Sequence, residues 1–251
     1  MAFPDPVDPI TCTPDLRLQI LHGLPFFAGL SHDDIRAIDR HFRDRGFRPG
    51  ETLYHAGEPA AHFYVVAAGN VRLLRHTLSG QDVLLDILIP GDFFGALPGV
   101  VEALSEPAGA ATYPDSAQAQ TACCALTAPT GRLRDILHDY PSAALRLLEI
   151  SAARLQEAQE SIRQLSADNT EQRIAATLLK LGDKLGEPRD DDILIHMPLS
   201  RQDIADMTGA TVETASRILS SFRRQNLIRS GRQWIALRDL PSLQSLAGPR
   251  S

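Results

Sequence analysis

The 251-residue sequence has few cysteines, and none in an arrangement that marks a site. Its three cysteines are Cys12, Cys123 and Cys124. Their spacing matches no zinc motif, no iron–sulfur motif and no disulfide framework. We therefore expect reduced thiols, as is typical of a cytosolic protein. Because Cys123 and Cys124 are adjacent in a predicted strand, we expect one buried and one exposed thiol.

Long apolar segments and catalytic motifs are also missing. No run of about 18 apolar residues is present, and no basic stretch followed by an apolar segment begins the chain, which predicts a soluble, non-secreted, cytoplasmic protein. The sequence has no nucleophile–base motif, no P-loop, no paired carboxylates on one element and no metal-ligand spacing. These absences argue against an enzyme and against a metal site.

Positive charge is scarce overall but is concentrated near the C-terminus. The net charge is −6, whereas residues 200–251 contain 8 Lys/Arg against 4 Asp/Glu. Residues 1–169 contain 13 basic and 21 acidic groups. A basic region confined to one part of the chain is typical of a segment that contacts phosphates.

That basic region contains a helix-turn-helix pattern between Leu199 and Gln225. Ser200 to Asp203 resembles a capping box, which predicts the start of a first helix. Gly209 can adopt the positive φ that a tight turn between helices requires. Thr211 is the predicted cap of a second helix, whose apolar stripe is Val212, Ala215, Ile218, Leu219 and Phe222. Two short helices joined by a Gly-containing turn are typical of DNA-binding proteins.

The polar face of the second helix has the side chains that read bases. Arg217 can pair bidentately with guanine, and Glu213 can accept from the amino group of cytosine. Arg223 lies further along, where phosphates are the expected targets. Two short apolar runs around Ser230–Gly231 predict the hairpin, or wing, of a winged helix. The candidate DNA-binding residues are Ser200, Arg201, Thr211, Glu213, Thr214, Ser216, Arg217, Ser220, Arg223 and Arg232. The alternative is a surface helix with a Glu213–Arg217 pair.

The first half of the chain is strand-rich, and a long helix follows it. From Phe47, apolar runs alternate with turn residues every eight to twelve positions, which predicts an antiparallel sandwich or roll. A further strand pair is expected to form from Ser116–Thr121 and Cys123–Thr127. Residues 97–114, which lie before this pair, are expected to form a short helix and a loop. A helix from about Ser142 to Ala167 has apolar residues at heptad spacing, which predicts a dimer seam. The seam residues are Leu148, Leu155, Ala158, Ile162 and Leu165, with Ser151 between them. The alternative is a helix that packs on its own domain.

This order of elements resembles the Crp/Fnr family of bacterial transcription regulators. The motifs that carry the resemblance are Arg48-Pro-Gly-Glu, Gly57-Glu, Phe63-Tyr-Val-Val-Ala-Ala-Gly, Pro90-Gly-Asp-Phe-Phe-Gly, Tyr113-Pro-Asp-Ser-Ala-Gln-Ala, Arg173-Ile-Ala, Leu199-Ser-Arg-Gln-Asp-Ile-Ala and Glu213-Thr-Ala-Ser-Arg. The resemblance implies an α+β fold with an N-terminal antiparallel β-roll of the cyclic-nucleotide-binding, jelly-roll type, a long dimerisation helix and a C-terminal winged helix-turn-helix. We expect a flexible arm over 1–20, a sensor domain over 21–140, a dimerisation helix and hinge over 141–169, and a DNA-binding domain over 170–251. The implied partners are a second copy of the chain, a twofold DNA site and RNA polymerase.

The sensor half departs from the cyclic-AMP-binding pattern. Family members that bind cyclic AMP place a Glu where Ala96 stands and an Arg where Asp115 stands. A carboxylate at Asp115 would repel the cyclic phosphate, so we predict that cyclic AMP does not bind. The candidate effector pocket is Phe94, Gly95, Ala96, Leu97, Asp115, Ser116 and Ala117. An iron–sulfur cluster is not expected, because Cys12 is the only cysteine of the arm. Haem stays open, with His22, His55, His62 and His76 as candidate ligands. Another ligand-gated regulator, one that responds to NO, CO or redox state, also stays open, with Cys123 and Cys124 as a candidate redox pair.

In the recognition helix, Val212 stands where cyclic-AMP-type members place an Arg, and Glu213-x-x-Ser216-Arg217 resembles the Fnr branch. We therefore predict a TTGAT-like half-site, repeated as an inverted pair about one helical turn apart. Two alternatives stay open. One is a constitutive regulator whose pocket has lost its ligand. The other is a sensor module that acts through protein contacts and has a vestigial helix-turn-helix.

Overall fold

The computed structural model describes residues 10–76, 82–95, 111–197, 199–231 and 233–248, and the chain divides into two compact units, 1–154 and 155–251. The helices are α1 (Pro14–Gly23), α2 (His32–Asp39), α3 (Thr130–Asp139), α4 (Pro141–Ala167), α5 (Thr170–Leu185), α6 (Arg201–Thr208), α7 (Val212–Arg224) and α8 (Leu240–Ala247). Within the described ranges, no helix is long and apolar enough to cross a membrane.

The first unit contains two antiparallel four-stranded sheets. Their strands are β1 (Arg43–Phe47), β2 (Thr52–Tyr54), β3 (His62–Ala68), β4 (Val71–His76), β5 (Asp82–Leu88), β6 (Phe93–Gly95), β7 (Ser116–Ala119) and β8 (Cys123–Pro129). One sheet has the order β1-β8-β3-β6 and the other β2-β7-β4-β5. The predicted antiparallel roll is therefore confirmed. Ser116–Ala119 and Cys123–Pro129 are both strands, but they lie in different sheets, so the predicted pairing between them is wrong.

Strand β3 shows how the first unit is packed. Its side chains alternate between two apolar clusters, because successive residues of a strand point to opposite faces. Phe63 and Val65 join a cluster that also includes residues of α1, α2, α3 and α4. Tyr64 and Val66 join a second cluster, made of residues from both sheets. Strands β3 and β8 are thus covered on both faces.

The cysteines differ from the sequence-based expectation. Cys123 and Cys124 do point to opposite faces of β8, but both are fully buried because each face is covered by one of the two clusters. Cys124 forms a disulfide with Cys12, at a Cα–Cα distance of 6.2 Å. The expectation of reduced thiols without a disulfide is therefore corrected. It failed because spacing along the chain does not show that the segment before α1 lies against β8.

The N-terminal helix starts earlier than the predicted end of the arm at residue 20. Thr13 caps α1 by accepting from Leu16 N, and Pro14 occupies the first helical position. The Arg17 guanidinium then contacts the carboxylates of Asp39 at 2.8 Å and Asp44 at 3.0 Å. Residues 14–20 are thus part of the packed first unit. The short helix predicted within 97–114 falls mainly outside the described residues.

The long helix α4 is confirmed over Pro141–Ala167. At its start, Ala143 and Leu147 are buried in the first apolar cluster. The seam residues point elsewhere, since Leu148, Leu155 and Ile162 are 66%, 61% and 64% exposed. The alternative of a helix packed wholly on its own domain therefore does not account for these positions. The helix ends where predicted, and Asn169 caps α5 through a capping box with Gln172.

The second unit is a winged helix. Its sheet has the order β11-β12-β10-β9, with β9 (Gly186–Arg189), β10 (Asp192–Ile195), β11 (Ile228–Ser230) and β12 (Ile235–Leu237). The wing predicted around Ser230 is confirmed as the β11–β12 hairpin. Gly186–Arg189 pairs with β10 and forms one edge of this sheet. Helix α8 has no counterpart in the sequence-based prediction.

Candidate nucleic-acid interface

The first helix of the pair, α6, is fixed at both ends by its own sequence. The Ser200 hydroxyl accepts from Asp203 N at 3.0 Å, and the Asp203 carboxylate accepts from Ser200 N at 2.7 Å. This is the predicted capping box. Gly209 ends the helix at φ +61°, and its N–H donates to the carbonyls of the last turn. The left-handed conformation favours glycine, so the turn that separates the two helices depends on this residue.

The second helix, α7, buries one face and exposes the other. Ala215, Ile218, Leu219 and Phe222 are buried as predicted, and Thr211 caps the helix by accepting from Thr214 N at 3.2 Å. Val212 was expected in the buried stripe but is 36% exposed. It is the first residue of α7 and lies ahead of the four buried positions. Packing of α7 therefore begins one turn later than the pattern suggested.

The exposed face of α7 carries the predicted base-reading residues. Glu213 and Arg217 are exposed, and Thr214 and Ser216 are half-buried beside them. Within the part of the chain that the structure describes, neither Glu213 nor Arg217 forms an ion pair. The alternative of a Glu213–Arg217 pair is therefore not what the structure shows. Both side chains can bind a ligand without first breaking an internal contact.

Arg201 and Ser220, also predicted to bind DNA, both donate to the backbone of α7. The Arg201 guanidinium donates to the carbonyl of Ser216 at 3.3 Å, and the Ser220 hydroxyl donates to the same carbonyl at 2.7 Å. Arg201 thus links α6 to the middle of α7. The Arg201 bond joins the two helices, whereas the Ser220 bond lies within α7.

Basic residues continue the exposed surface beyond α7. Arg223 and Arg224 are exposed in the last turn of the helix, and Arg229 is exposed on β11. The start of α6 and the wing share a small cleft of about 60 Å³, whose lining includes Ser200, Arg201, Ser230 and Gly231. Arg232, also predicted to bind DNA, lies outside the described residues. The described site therefore combines a polar helix face with cations at its C-terminal end.

Arg173, from the Arg173-Ile-Ala motif on α5, also positions the interface. Its guanidinium donates to the Thr208 carbonyl at 2.8 Å and to the Asp168 carbonyl at 2.6 Å. The side chain therefore connects the end of α6 to the segment between α4 and α5. The sequence had no signal for this role, because the acceptors are backbone carbonyls and one of them belongs to a distant residue.

The interior of the β-roll contains a cluster of aromatic rings. Tyr54 stacks on Tyr113 with ring centroids 3.8 Å apart, and Tyr64 stacks on Phe94 at 5.3 Å. Gly95 follows at φ +95°, and a Cβ there would approach the His62 carbonyl and the Tyr64 ring to 3.0 Å. Ala117 is buried in the same cluster, and the Ser116 hydroxyl accepts from Ala56 N at 2.9 Å. Ala96 and Leu97, the remaining predicted pocket residues, lie outside the described ranges.

Asp115 is held at the edge of this cluster. Its carboxylate accepts from the Tyr54 hydroxyl at 3.0 Å. Burial raises the pKa of Asp115 above its usual range, while the Tyr54 hydrogen bond and the charge of Arg75 oppose the rise. The pKa of Tyr54 is also raised, first by burial and then by the Asp115 charge. Tyr54 and Asp115 are thus hydrogen-bonded to each other at the position where the resemblance places a phosphate-binding arginine.

The histidines considered as haem ligands lie on the surface of the first unit. All four of them, His22, His55, His62 and His76, are exposed. Over the described residues, no group of three or more His, Cys, Asp or Glu side chains is arranged to hold a metal ion.

Comparisons with known proteins agree with both halves of the chain. The family model described as "Cyclic nucleotide-binding domain" matches residues 44–140, and "Crp-like helix-turn-helix domain" matches residues 172–246. The chain is 28% identical over 211 residues to the CRP-like cAMP-activated global transcriptional regulator of Mycobacterium tuberculosis, covering 84% of this chain and 91% of that protein. It is also 28% identical to the nitrogen fixation regulation protein FixK of Bradyrhizobium diazoefficiens over 221 residues, which is 88% of each chain.

A solved structure has the same architecture. FixK2 from Bradyrhizobium japonicum superposes with a TM-score of 0.70 at 25% identity, covering 84% of this chain and 99% of that one. The similarity therefore covers most of this chain and nearly all of that one.

Proposed function

Because this chain belongs to the Crp/Fnr family of transcription regulators, we propose that it acts as a homodimer that binds a twofold inverted repeat in double-stranded DNA without cyclic AMP. The observation that carries the proposal is the exposed face of α7. Glu213 and Arg217 lie there, on a helix of the kind that enters the major groove. The expected half-site is TTGAT or close to it, and RNA polymerase is the expected protein partner.

The proposal of a homodimer rests on the exposed apolar stripe of α4. Leu148, Leu155 and Ile162 recur every seven residues and are each more than 60% exposed. Leu145 and Leu165 extend the stripe, at 64% and 53% exposure. A stripe of this spacing is buried when a second identical helix packs against it. A twofold dimer would also match the twofold symmetry of an inverted repeat.

Independence from cyclic AMP is supported by Asp115. We expect 1 mM cyclic AMP to leave both the melting temperature and the DNA affinity of the purified protein unchanged. Binding with a Kd of about 10 μM would instead stabilise the folded state by about 2.7 kcal/mol at that concentration. Thermal unfolding with and without the nucleotide measures this directly. The relative that is named as cAMP-activated makes cyclic AMP the first ligand to test.

The matched control for this experiment is Asp115→Asn, which removes the charge and keeps the size of the side chain. Weak cyclic AMP binding by the variant and none by the wild type would identify the charge as the cause. Saturable stabilisation of the wild type by cyclic AMP would contradict the proposal that the regulator is independent of cyclic AMP.

Arg223 is expected to contact a phosphate and not a base. Arg223→Ala should therefore weaken binding to a TTGAT inverted repeat and to a shuffled duplex by the same factor. The slope of log K against log salt concentration should become shallower by about 0.9 for each phosphate that the variant no longer neutralises. Fluorescence anisotropy titrations at several salt concentrations measure both quantities. Arg36→Ala, an exposed arginine on α2 with a side chain 66% exposed, is the control and should change neither. An effect of Arg223→Ala on the repeat alone would show that Arg223 reads sequence.

A further inference from the structure

The disulfide between Cys12 and Cys124 joins two segments that are far apart in sequence. It closes a separation of 112 residues and connects the segment just before α1 to the second residue of β8. Both cysteines lie in the first unit. The position of the disulfide within this unit connects it to the long helix.

Both cysteines belong to the first apolar cluster. The same cluster contains Ala143 and Leu147 of α4, and Ile150 packs against it. The first turns of the long helix and the disulfide therefore share one set of packing contacts. Close-packed interiors transmit small displacements, so a change at the disulfide alters the environment of these turns.

The two sulfur atoms of the bond differ in access. Cys12 is 6% exposed, whereas Cys124 is completely buried. Cys12 lies in the irregular stretch before α1, and its neighbours Thr11 and Thr13 are exposed. Local opening of such a stretch requires less free energy than unfolding of a central strand. An attacking thiolate would therefore reach Cys12 first.

The third cysteine is separated from this chemistry. Cys123 faces the other cluster, and burial raises its pKa to about 12, with a further contribution from the charge of Glu51. At neutral pH it is a thiol and not the thiolate that attacks disulfides. Exchange is therefore confined to the Cys12–Cys124 pair.

We propose that Cys12 and Cys124 form a reversible thiol–disulfide site, reduced by a dithiol of the thioredoxin class, and that the disulfide form binds the DNA site more tightly. The effect on DNA binding rests on the proposed function. In the disulfide form, the bond holds the cluster against the start of α4 and so supports the arrangement of the dimer seam. In a compartment that keeps thiols reduced, the pair would be a dithiol until an oxidising disulfide arrives.

The exchange proceeds in two balanced steps. A thiolate of the reductant attacks Sγ of Cys12, the Cys12–Cys124 bond breaks, and Cys124 leaves as a thiolate that takes up a proton. The second thiol of the reductant then loses its proton and displaces Cys12, which is protonated in turn. The reductant departs as a disulfide, having transferred two electrons and two protons. The reverse sequence, with an oxidised dithiol, restores the bond.

The test uses the full-length protein equilibrated with reduced and oxidised dithiothreitol at a series of ratios. Thiols are alkylated after denaturation and counted by mass spectrometry, and the DNA affinity is measured by anisotropy in the same samples. The wild type, with its three cysteines, should change from one alkylated thiol to three as the ratio becomes reducing. Affinity for the inverted repeat should fall by about fivefold or more over the same transition.

Two variants separate the alternatives. Cys123→Ala should change from no alkylated thiol to two, with the midpoint of the wild type. Cys12→Ala should retain two alkylated thiols at every ratio and lose the redox dependence of its affinity.

Three thiols in the wild type at the most oxidising ratio would overturn the redox site. Equal affinities in both states, with specific DNA binding retained, would overturn its control of binding. Absence of specific binding in both states would instead refute the proposed function, while the thiol count would still decide the redox site.

Discussion

Replacing Arg217 with alanine is expected to weaken binding to the TTGAT inverted repeat by ~1–3 kcal/mol for each half-site. Each such loss corresponds to about a 5- to 150-fold change in affinity. The reason is that Arg217 is exposed on α7 and has no internal ion pair among the described residues, so its five donors are available to a guanine. The preference for guanine at one position of the half-site should relax at the same time.

Competition binding against duplexes that vary one base pair at a time measures this effect. Arg223→Ala provides the contrast, since it should weaken all duplexes alike. Arg217→Lys keeps the charge but lacks the planar fork, so it should recover phosphate-type affinity without the guanine preference. If Arg217→Ala retained the full base preference of the wild type, another residue of α7 would have to be the reader.

Introducing a charge into the α4 stripe is expected to separate the dimer. Leu155→Glu places a carboxylate at the middle of the seam, where two copies would face each other without water. Sedimentation velocity should then show a monomer at micromolar concentration. Affinity for the inverted repeat should fall by about 100-fold or more, because the two DNA-binding domains are no longer joined. Binding at one half-site then no longer brings a second domain to the other. Affinity for a single half-site should stay the same.

Ala153→Glu is the matched control. Ala153 is exposed in the same region of α4 but lies on the side of the helix away from the stripe. This variant introduces the same charge and should remain dimeric with unchanged affinity. A dimeric Leu155→Glu protein would contradict the assignment of the stripe as the subunit interface.

Local signals in the sequence predicted the winged helix well. The capping box at Ser200, the glycine at 209 and the cap at Thr211 each act within a few residues, so the chain itself specifies them. The long helix was predicted for the same reason, since its period is a local property. Val212 was misplaced because the apolar period does not show where tertiary contact begins.

Contacts between distant segments could not be predicted in this way. The disulfide requires that the segment before α1 lie against β8, and no local pattern specifies this pairing. Assignment of Ser116–Ala119 and Cys123–Pro129 to different sheets likewise depends on how the roll closes. The link from Arg173 to the Thr208 carbonyl joins residues 35 apart. Charge at Asp115 was visible in the sequence, whereas its bond to Tyr54 appears only in the fold.

The central claim is that this regulator binds DNA by sequence, as a dimer and without cyclic AMP. The most direct measurement is the affinity of the purified protein, without added nucleotide, for a TTGAT inverted repeat and for a duplex of the same composition in shuffled order, at one salt concentration. We expect a preference for the repeat of about 1,000-fold or more, as is typical of specific regulators. Equal affinity for the two duplexes would contradict the claim.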